Sequence, residues 1–186
     1  PYAIGSDTGD SVRKPASYSA LVGFKPTWGK VSRFGLFTFS ASLDHVSYFT
    51  KNVKESALLL NVLGGHDDKD TTSSSLPMED YVAAIKENKE PYTFAVIKEI
   101  YDDLKDETIK KAFDSLIEEL KQKGHKINTV SITLPIAEAI YPAYYIISSA
   151  EATSNNANLD GIKFGTYKDA DTYEEMLFKV RTEGFS

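Results

Sequence analysis

The chain has no cysteine among its 186 residues. That absence excludes a disulfide framework, a thiolate zinc site and a cysteine nucleophile, and it fits a reducing compartment. No apolar run approaches the ~20 residues of a membrane-spanning helix, so no membrane segment is expected. Positive charge is short as well: 21 Lys and Arg stand against 27 Asp and Glu, a net charge of -6. An acidic chain lacks the basic footprint of a protein that grips nucleic acid by itself. Any such role needs a local patch or a partner protein. There are only three histidines, His45, His66 and His125, each read as a surface or capping residue. His66 beside Asp67, Asp68 and Asp70 lacks the spacing and distal Glu of a calcium loop, so no metal site is expected. Pro1–Ser6 carries neither an initiator methionine nor a charged-then-apolar targeting pattern. Glu183–Ser186 stops just past a helical pattern, so both ends read as cut and the chain as a fragment.

What remains is ordinary globular composition, 41% hydrophobic, at a length that suits one domain or part of a larger one. The first fifty residues read as loops joining short strands, with Ala20–Phe24 the best strand candidate. Asn52 with Glu55 three residues on has the spacing of a capping box, opening a helix that Gly64 and Gly65 stop. Residues 66–76 read as a loop and 78–87 as a short helix. Thr93–Ile97 has the look of a buried strand. Ile109, Ala112, Phe113, Leu116, Ile117 and Leu120 then recur at helical spacing, and Ile127–Ile132 alternates as a strand. Strand, helix and strand make a βαβ unit. The cluster Glu99, Asp102, Asp103, Asp106 and Glu107 reads as a solvated start to its helix. A long buried helix is expected over 136–152, kinked at Pro142, and a last one over 173–180. The whole predicts an α/β chain in which 1–186 is the C-terminal part of a single domain cut at both ends, with no internal boundary and no repeat.

The segment that carries chemistry is Gly5-Ser6-Asp7-Thr8-Gly9-Asp10-Ser11-Val12-Arg13-Lys14-Pro15-Ala16. A hydroxyl nucleophile needs exposure on a tight turn, a base for its proton, and N–H donors for the developing oxyanion. Glycines beside a serine serve the turn and the donors. By composition alone the same run is a surface turn held by Asx or Ser/Thr hydrogen bonds.

The order Gly-x-Asp-x-Gly-x-Ser-Val-Arg-x-Pro-Ala resembles the C-terminal half of the amidase signature motif, the nucleophile-bearing segment of a family with a Ser–Ser–Lys triad. The resemblance implies Ser11 as the acyl-ester nucleophile. It implies Thr8, Gly9 and Asp10 as the oxyanion loop, and Asp7 and Arg13 as the residues that brace it. Asp10 stands where the family has glycine, and a carboxylate there would oppose the oxyanion by about 1 kcal/mol or more if poorly solvated. Ser47 also replaces a customary glycine. Further segments (Val22–Gly35, Ser42-Leu43-Asp44, Asp67–Ser73, Tyr144-Tyr145, Glu151–Asn155 and Asp160–Gly165) are similar to the branch formed by the A subunits of tRNA-dependent amidotransferases.

That branch implies a mixed β-sheet flanked by helices and a cytoplasmic enzyme that hydrolyses glutamine. The ammonia passes to a B subunit, in a complex with a C subunit, to amidate glutamate or aspartate carried on a mischarged tRNA. The resemblance implies no cofactor in this chain, with ATP and magnesium used by the B subunit. It implies a tyrosine of the Tyr144-Tyr145 pair against glutamine. It also places the lysine base and bridging serine before Pro1, and the residues that grip the substrate's carboxylate and amine beyond Ser186. The chain alone is therefore expected to be inactive. Two further readings stay open: a general amidase of the same family, and a non-catalytic module that binds another protein of the complex.

Overall fold

A computed structural model describes residues 1–85 and 90–184. The fold is mixed α/β, with sheets flanked by helices. Its contacts divide the chain into two compact units, Pro1–Tyr81 with Tyr145–Ser186, and Val82–Tyr144.

The first unit is built on a three-stranded antiparallel sheet. Strand β1 (Ala3–Asp7) and β2 (Val22–Phe24) lie on either side of β3 (His45–Thr50). The β1–β3 register sets Gly5 opposite Ser47 and Asp7 opposite His45. Helix α1 (Arg13–Tyr18) leaves β1 through a turn, and α2 (Val53–Leu63) follows β3. Asn52 caps α2, its side chain accepting the Glu55 N–H at 2.9 Å, while the Glu55 carboxylate reaches back to the Lys51 N–H at 3.1 Å. Two donors at the helix start are thereby satisfied. Leu59 and Leu60 turn inward onto Val31 and Tyr48, ringed by Phe24, Val46, Leu63, Met78 and Tyr81. Tyr48 is fully buried yet donates its hydroxyl to the Ser56 carbonyl at 2.8 Å. Burial pushes its pKa up to about 12.

Of the helix expected over 78–87, only α3 (Tyr81–Ala84) is helical; residues 78–80 and 85 are not, and residues 86 and 87 lie outside the described residues. The second unit contains β4 (Thr93–Ile97), the short α4 (Lys98–Asp102), α5 (Glu107–Gln122) and β5 (Lys126–Val130). Strands β4 and β5 pair in parallel, which a crossing helix permits. Asp106 caps α5, accepting the N–H groups of Thr108 and Ile109 at 2.8 and 3.0 Å.

Helix α6 (Leu134–Asn156) runs unbroken through Pro142, and α7 (Tyr173–Gly184) follows. The expectation that α6 is buried is corrected. Ile136, Ile140, Tyr141, Ile146 and Ile147 are exposed, whereas Ser148 and Ala152 are buried. Apolar residues occur all round this helix, but its neighbours cover only the stripe one turn apart that carries Ser148 and Ala152.

Candidate active site

Strand β1 delivers Asp7 to a turn at Thr8–Asp10, and Ser11 and Val12 lead into α1. The turn is possible because α1 settles directly on β2. A side chain at Gly23 would stand 2.7 Å from the Ala16 methyl and 2.9 Å from the Arg13 Cα and the Val12 carbonyl. Only glycine permits that approach. Val12 and Ala16 fill the contact and are almost fully buried. Ser11, one residue earlier, is exposed, and its hydroxyl has no hydrogen-bond partner among the described residues.

Asp7 is fully buried, and its carboxylate organises the turn. Oδ2 accepts the Val12 and Arg13 N–H groups at 3.2 Å each and Arg13 Nε at 3.1 Å; Oδ1 accepts Arg13 Nη2 at 3.0 Å. The same guanidinium also donates to the Gly9 carbonyl. Burial pushes the Asp7 carboxyl up, but the guanidinium and the two N–H groups outweigh it and hold the group below the usual carboxylate range. The pair thus turns the main chain at Gly9 and fixes the start of α1 through one side chain.

Asp10 faces outward. Its carboxylate meets Lys14 Nζ at 3.3 Å, and both side chains are more than half exposed. Asp10 is not among the residues with positive φ, so aspartate at this position carries no left-handed strain. Lys14 is held above the usual lysine range first by its hydrogen bond and charge pairing with Asp10, with Tyr18 and Tyr145 adding to it. Tyr145 therefore lies within electrostatic reach of the turn's flank. Tyr144 falls in the second unit, and adjacent residues of a helix point about 100° apart.

A second buried carboxylate grips the turn from the other side. Asp44 accepts the Thr8 hydroxyl at 2.5 Å on Oδ1, and the Phe39 and Ser40 N–H groups at 2.9 Å each on Oδ2. The 39–44 segment is in turn held from α6. Glu151 accepts the Ser40 hydroxyl at 2.5 Å and the Ser42 N–H at 3.0 Å, and Asn155 donates to the Phe39 carbonyl at 3.0 Å. The Ser40 and Ser42 hydroxyls and the Ser42 N–H hold the Glu151 carboxyl below its usual range. Arg33 donates to the Asp44 carbonyl at 3.4 Å and to Thr72 Oγ1 at 2.9 Å. A cavity of about 340 Å³ lies beside this network, lined by Arg33, Phe34, Asp44, Lys69, Asp70 and Thr72 among others; Ser11 does not line it. The roles of Asp44, Glu151 and Arg33 escape sequence reasoning, although all three fall in segments similar to the amidotransferase branch.

The histidines have structural surroundings. His45 is half-buried with Nδ1 at 2.6 Å from the Leu43 carbonyl; burial lowers its pKa, partly offset by that carbonyl. His66 pairs with Asp68 at 3.1 Å on the surface, and His125 accepts the Tyr92 N–H at 3.1 Å. Among the described residues, no three His, Cys, Asp or Glu side chains form a group that could hold a metal. No described helix is long and apolar enough to cross a membrane.

Ser11 thus stands exposed at a strand–turn–helix junction whose turn is braced by buried carboxylates. The chain matches the Amidase family over residues 1–186 and belongs to that family. It is 43% identical over 183 residues to the A subunit of glutamyl-tRNA(Gln) amidotransferase from Lactobacillus delbrueckii subsp. bulgaricus, covering 98% of this chain and 38% of the relative. The crystal structure of the A subunit of glutamyl-tRNA(Gln) amidotransferase from Thermotoga maritima superposes with a TM-score of 0.77 at 35% identity, over 99% of this chain and 38% of that one. The substrate complex of 6-aminohexanoate cyclic dimer hydrolase superposes with a TM-score of 0.69 at 26% identity, over 97% and 39%. The chain thus spans less than two fifths of the length of the proteins it resembles.

Proposed function

We propose that this chain is the nucleophile-bearing part of a glutaminase, the A subunit of a tRNA-dependent amidotransferase, with Ser11 as the nucleophile. The observation that carries the reading is the exposed Ser11 hydroxyl at the head of α1, beside a turn locked from beneath by the Asp7–Arg13 pair. Likeness to A subunits over nearly the whole chain supports glutamine as the substrate class.

In this reading Ser11 Oγ attacks the side-chain amide carbon of glutamine. Its proton passes through a bridging serine to a lysine supplied by residues outside this chain. N–H groups of the Thr8–Asp10 turn face the developing oxyanion, and the Asp10 carboxylate stays in solvent with Lys14. The carbon–nitrogen bond then breaks, the nitrogen takes the proton, and ammonia leaves a glutamyl ester on Ser11. Water hydrolyses that ester to glutamate and restores the hydroxyl. A tyrosine of the Tyr144-Tyr145 pair lies against the substrate, with Tyr145 within electrostatic reach of Lys14 on the flank of the turn. The ammonia serves the amidation of glutamate or aspartate on tRNA in a partner B subunit that uses ATP and magnesium, with a C subunit completing a cytoplasmic complex. This chain itself holds no cofactor, and by itself it is inactive.

The test is ammonia release from glutamine by the full-length protein with its partner subunits, beside its Ser11→Ala variant. Loss of about 10⁴-fold or more in the variant is expected for a missing nucleophile. Equal rates would remove Ser11 from the reaction. Faster hydrolysis of simple amides than of glutamine would keep the nucleophile and replace the substrate class. No turnover in either protein, with the complex intact, would leave the partner-binding module as the reading.

A further inference from the structure

We infer that Asp44 is a positioning residue for the main-chain donors of the Thr8–Asp10 turn, acting through the Thr8 hydroxyl. This rests on the reading of Ser11 as the nucleophile and assigns the turn a second, independent brace.

Asp7 and Arg13 fix the turn from within its own segment, by contacts no more than six residues apart. They reach Gly9 and the residues after it, and none of their bonds touches Thr8. The bond from Thr8 to Asp44 spans 36 residues and is short, at 2.5 Å, as expected for a hydroxyl on a carboxylate. Asp44 is itself immobilised. It is 3% exposed, and its other oxygen takes two backbone N–H groups. Its own N–H donates to the Ser40 carbonyl at 2.8 Å, and β3 begins at the next residue. Glu151 and Asn155 pin the same segment from α6. Of the two partners, Asp44 is therefore the fixed one and Thr8 the one held. Threonine suits the task, because its branched Cβ restricts χ1 and ties the hydroxyl's position to that of the main chain. Oxyanion donors work only when already in place, and a displacement of about 1 Å can cost a hundredfold in rate.

The test uses the full-length protein with its partner subunits, as wild type and as Asp44→Asn, Thr8→Val, the double variant and Thr8→Ser. Both single variants should lower kcat for glutamine hydrolysis by about ten- to a hundredfold with KM moved less than about twofold. The double variant should be no slower than the slower single one, since each removes the same bond. Thr8→Ser should recover most of the rate. Amide hydrogen exchange in the same proteins gives a readout that needs no turnover. It should rise at residues 8–10 in Asp44→Asn and Thr8→Val and stay unchanged in β3 and α2. Unchanged kcat, additive losses, or exchange that is unchanged or rises across the whole of β1–α2 would each overturn the inference. Should Ser11→Ala retain full turnover, the nucleophile reading fails by itself, and localised exchange at the turn still decides the role of Asp44.

Discussion

A carboxylate with no exposed surface must find its donors inside the protein, and Asp7 finds four of them in Val12 and Arg13. Because those donors favour the charged form, the folded pKa lies below the ordinary value of 3.8. The stabilisation is present above the unfolded value and is lost as pH falls through the folded one, below 3.8. Thermal melts between pH 2.5 and 6 should therefore show a steep acid limb that flattens in Asp7→Asn. That variant should also lose about 2 kcal/mol at pH 7, because a neutral amide leaves Arg13 without its counter-charge. Acid limbs that overlay would assign the acid sensitivity elsewhere. His45 titrates in the same sense through another cause. Burial lowers its pKa, so its contribution is lost as pH falls below 6.5. At this scale the Asp7–Arg13 pair could be expected from sequence because the resemblance to the amidase signature implies both as braces of the loop. The Thr8–Asp44 bond could not, since nothing local to either residue names a partner 36 positions away.

Elements divide along the same line. Helix α2 carries its own start in Asn52 and Glu55, and α5 its own face, so both were legible; β4 was legible as a strand from its run of β-formers but not as a buried one, since its residues are exposed or half-buried. Strands β1 and β3 were not. Ala3–Asp7 holds glycine, serine and aspartate, poor strand formers that are extended because each residue pairs across to β3. Helix α1 was hidden by its brevity and by Pro15, which the first helical turn tolerates. Its end shows a correctable strain. Ala20 has φ 52°, and the Leu21 N–H returns to the Ala16 carbonyl at 3.0 Å, the closure in which glycine is favoured. Ala20→Gly should therefore stabilise the protein by up to about 1 kcal/mol, read from the shift of the urea midpoint. The opposite exchange at Gly23 should do harm. The methyl of Gly23→Ala would strike backbone atoms at 2.9 Å, which cannot swing aside as a side chain can. Destabilisation of about 1–3 kcal/mol is expected, with the full-length protein's activity falling further than stability because Ser11 stands just before α1. A variant with wild-type melting and turnover would show that α1 does not rest on β2 in solution.

At the scale of the whole molecule, the surface is the informative part. A chain with net charge -6 should stay apart from its copies, yet large apolar side chains stand exposed on several helices, among them Leu58 at 57%, Val62 at 72%, Ile146 at 71% and Phe178 at 71%. Leu58 and Val62 are one turn apart on α2 and stay exposed, while Leu59 and Leu60 fill the core. A helix that is apolar on both faces is built to be covered on both. The relatives that share the fold carry more than twice this length of chain, which can supply the cover. Two proteins distinguish a covered face from a solvated one: the 186-residue chain by itself and a longer protein that carries it. In the chain alone, Leu58→Glu with Val62→Glu should change stability by less than about 0.5 kcal/mol per site and reduce binding of a hydrophobic dye, because the new carboxylates meet only water. In the longer protein the same pair should cost several kcal/mol, because buried carboxylates without partners are expensive. Equal tolerance in both would make the outer face of α2 a water-facing surface, and its apolar residues would then need a partner outside the chain.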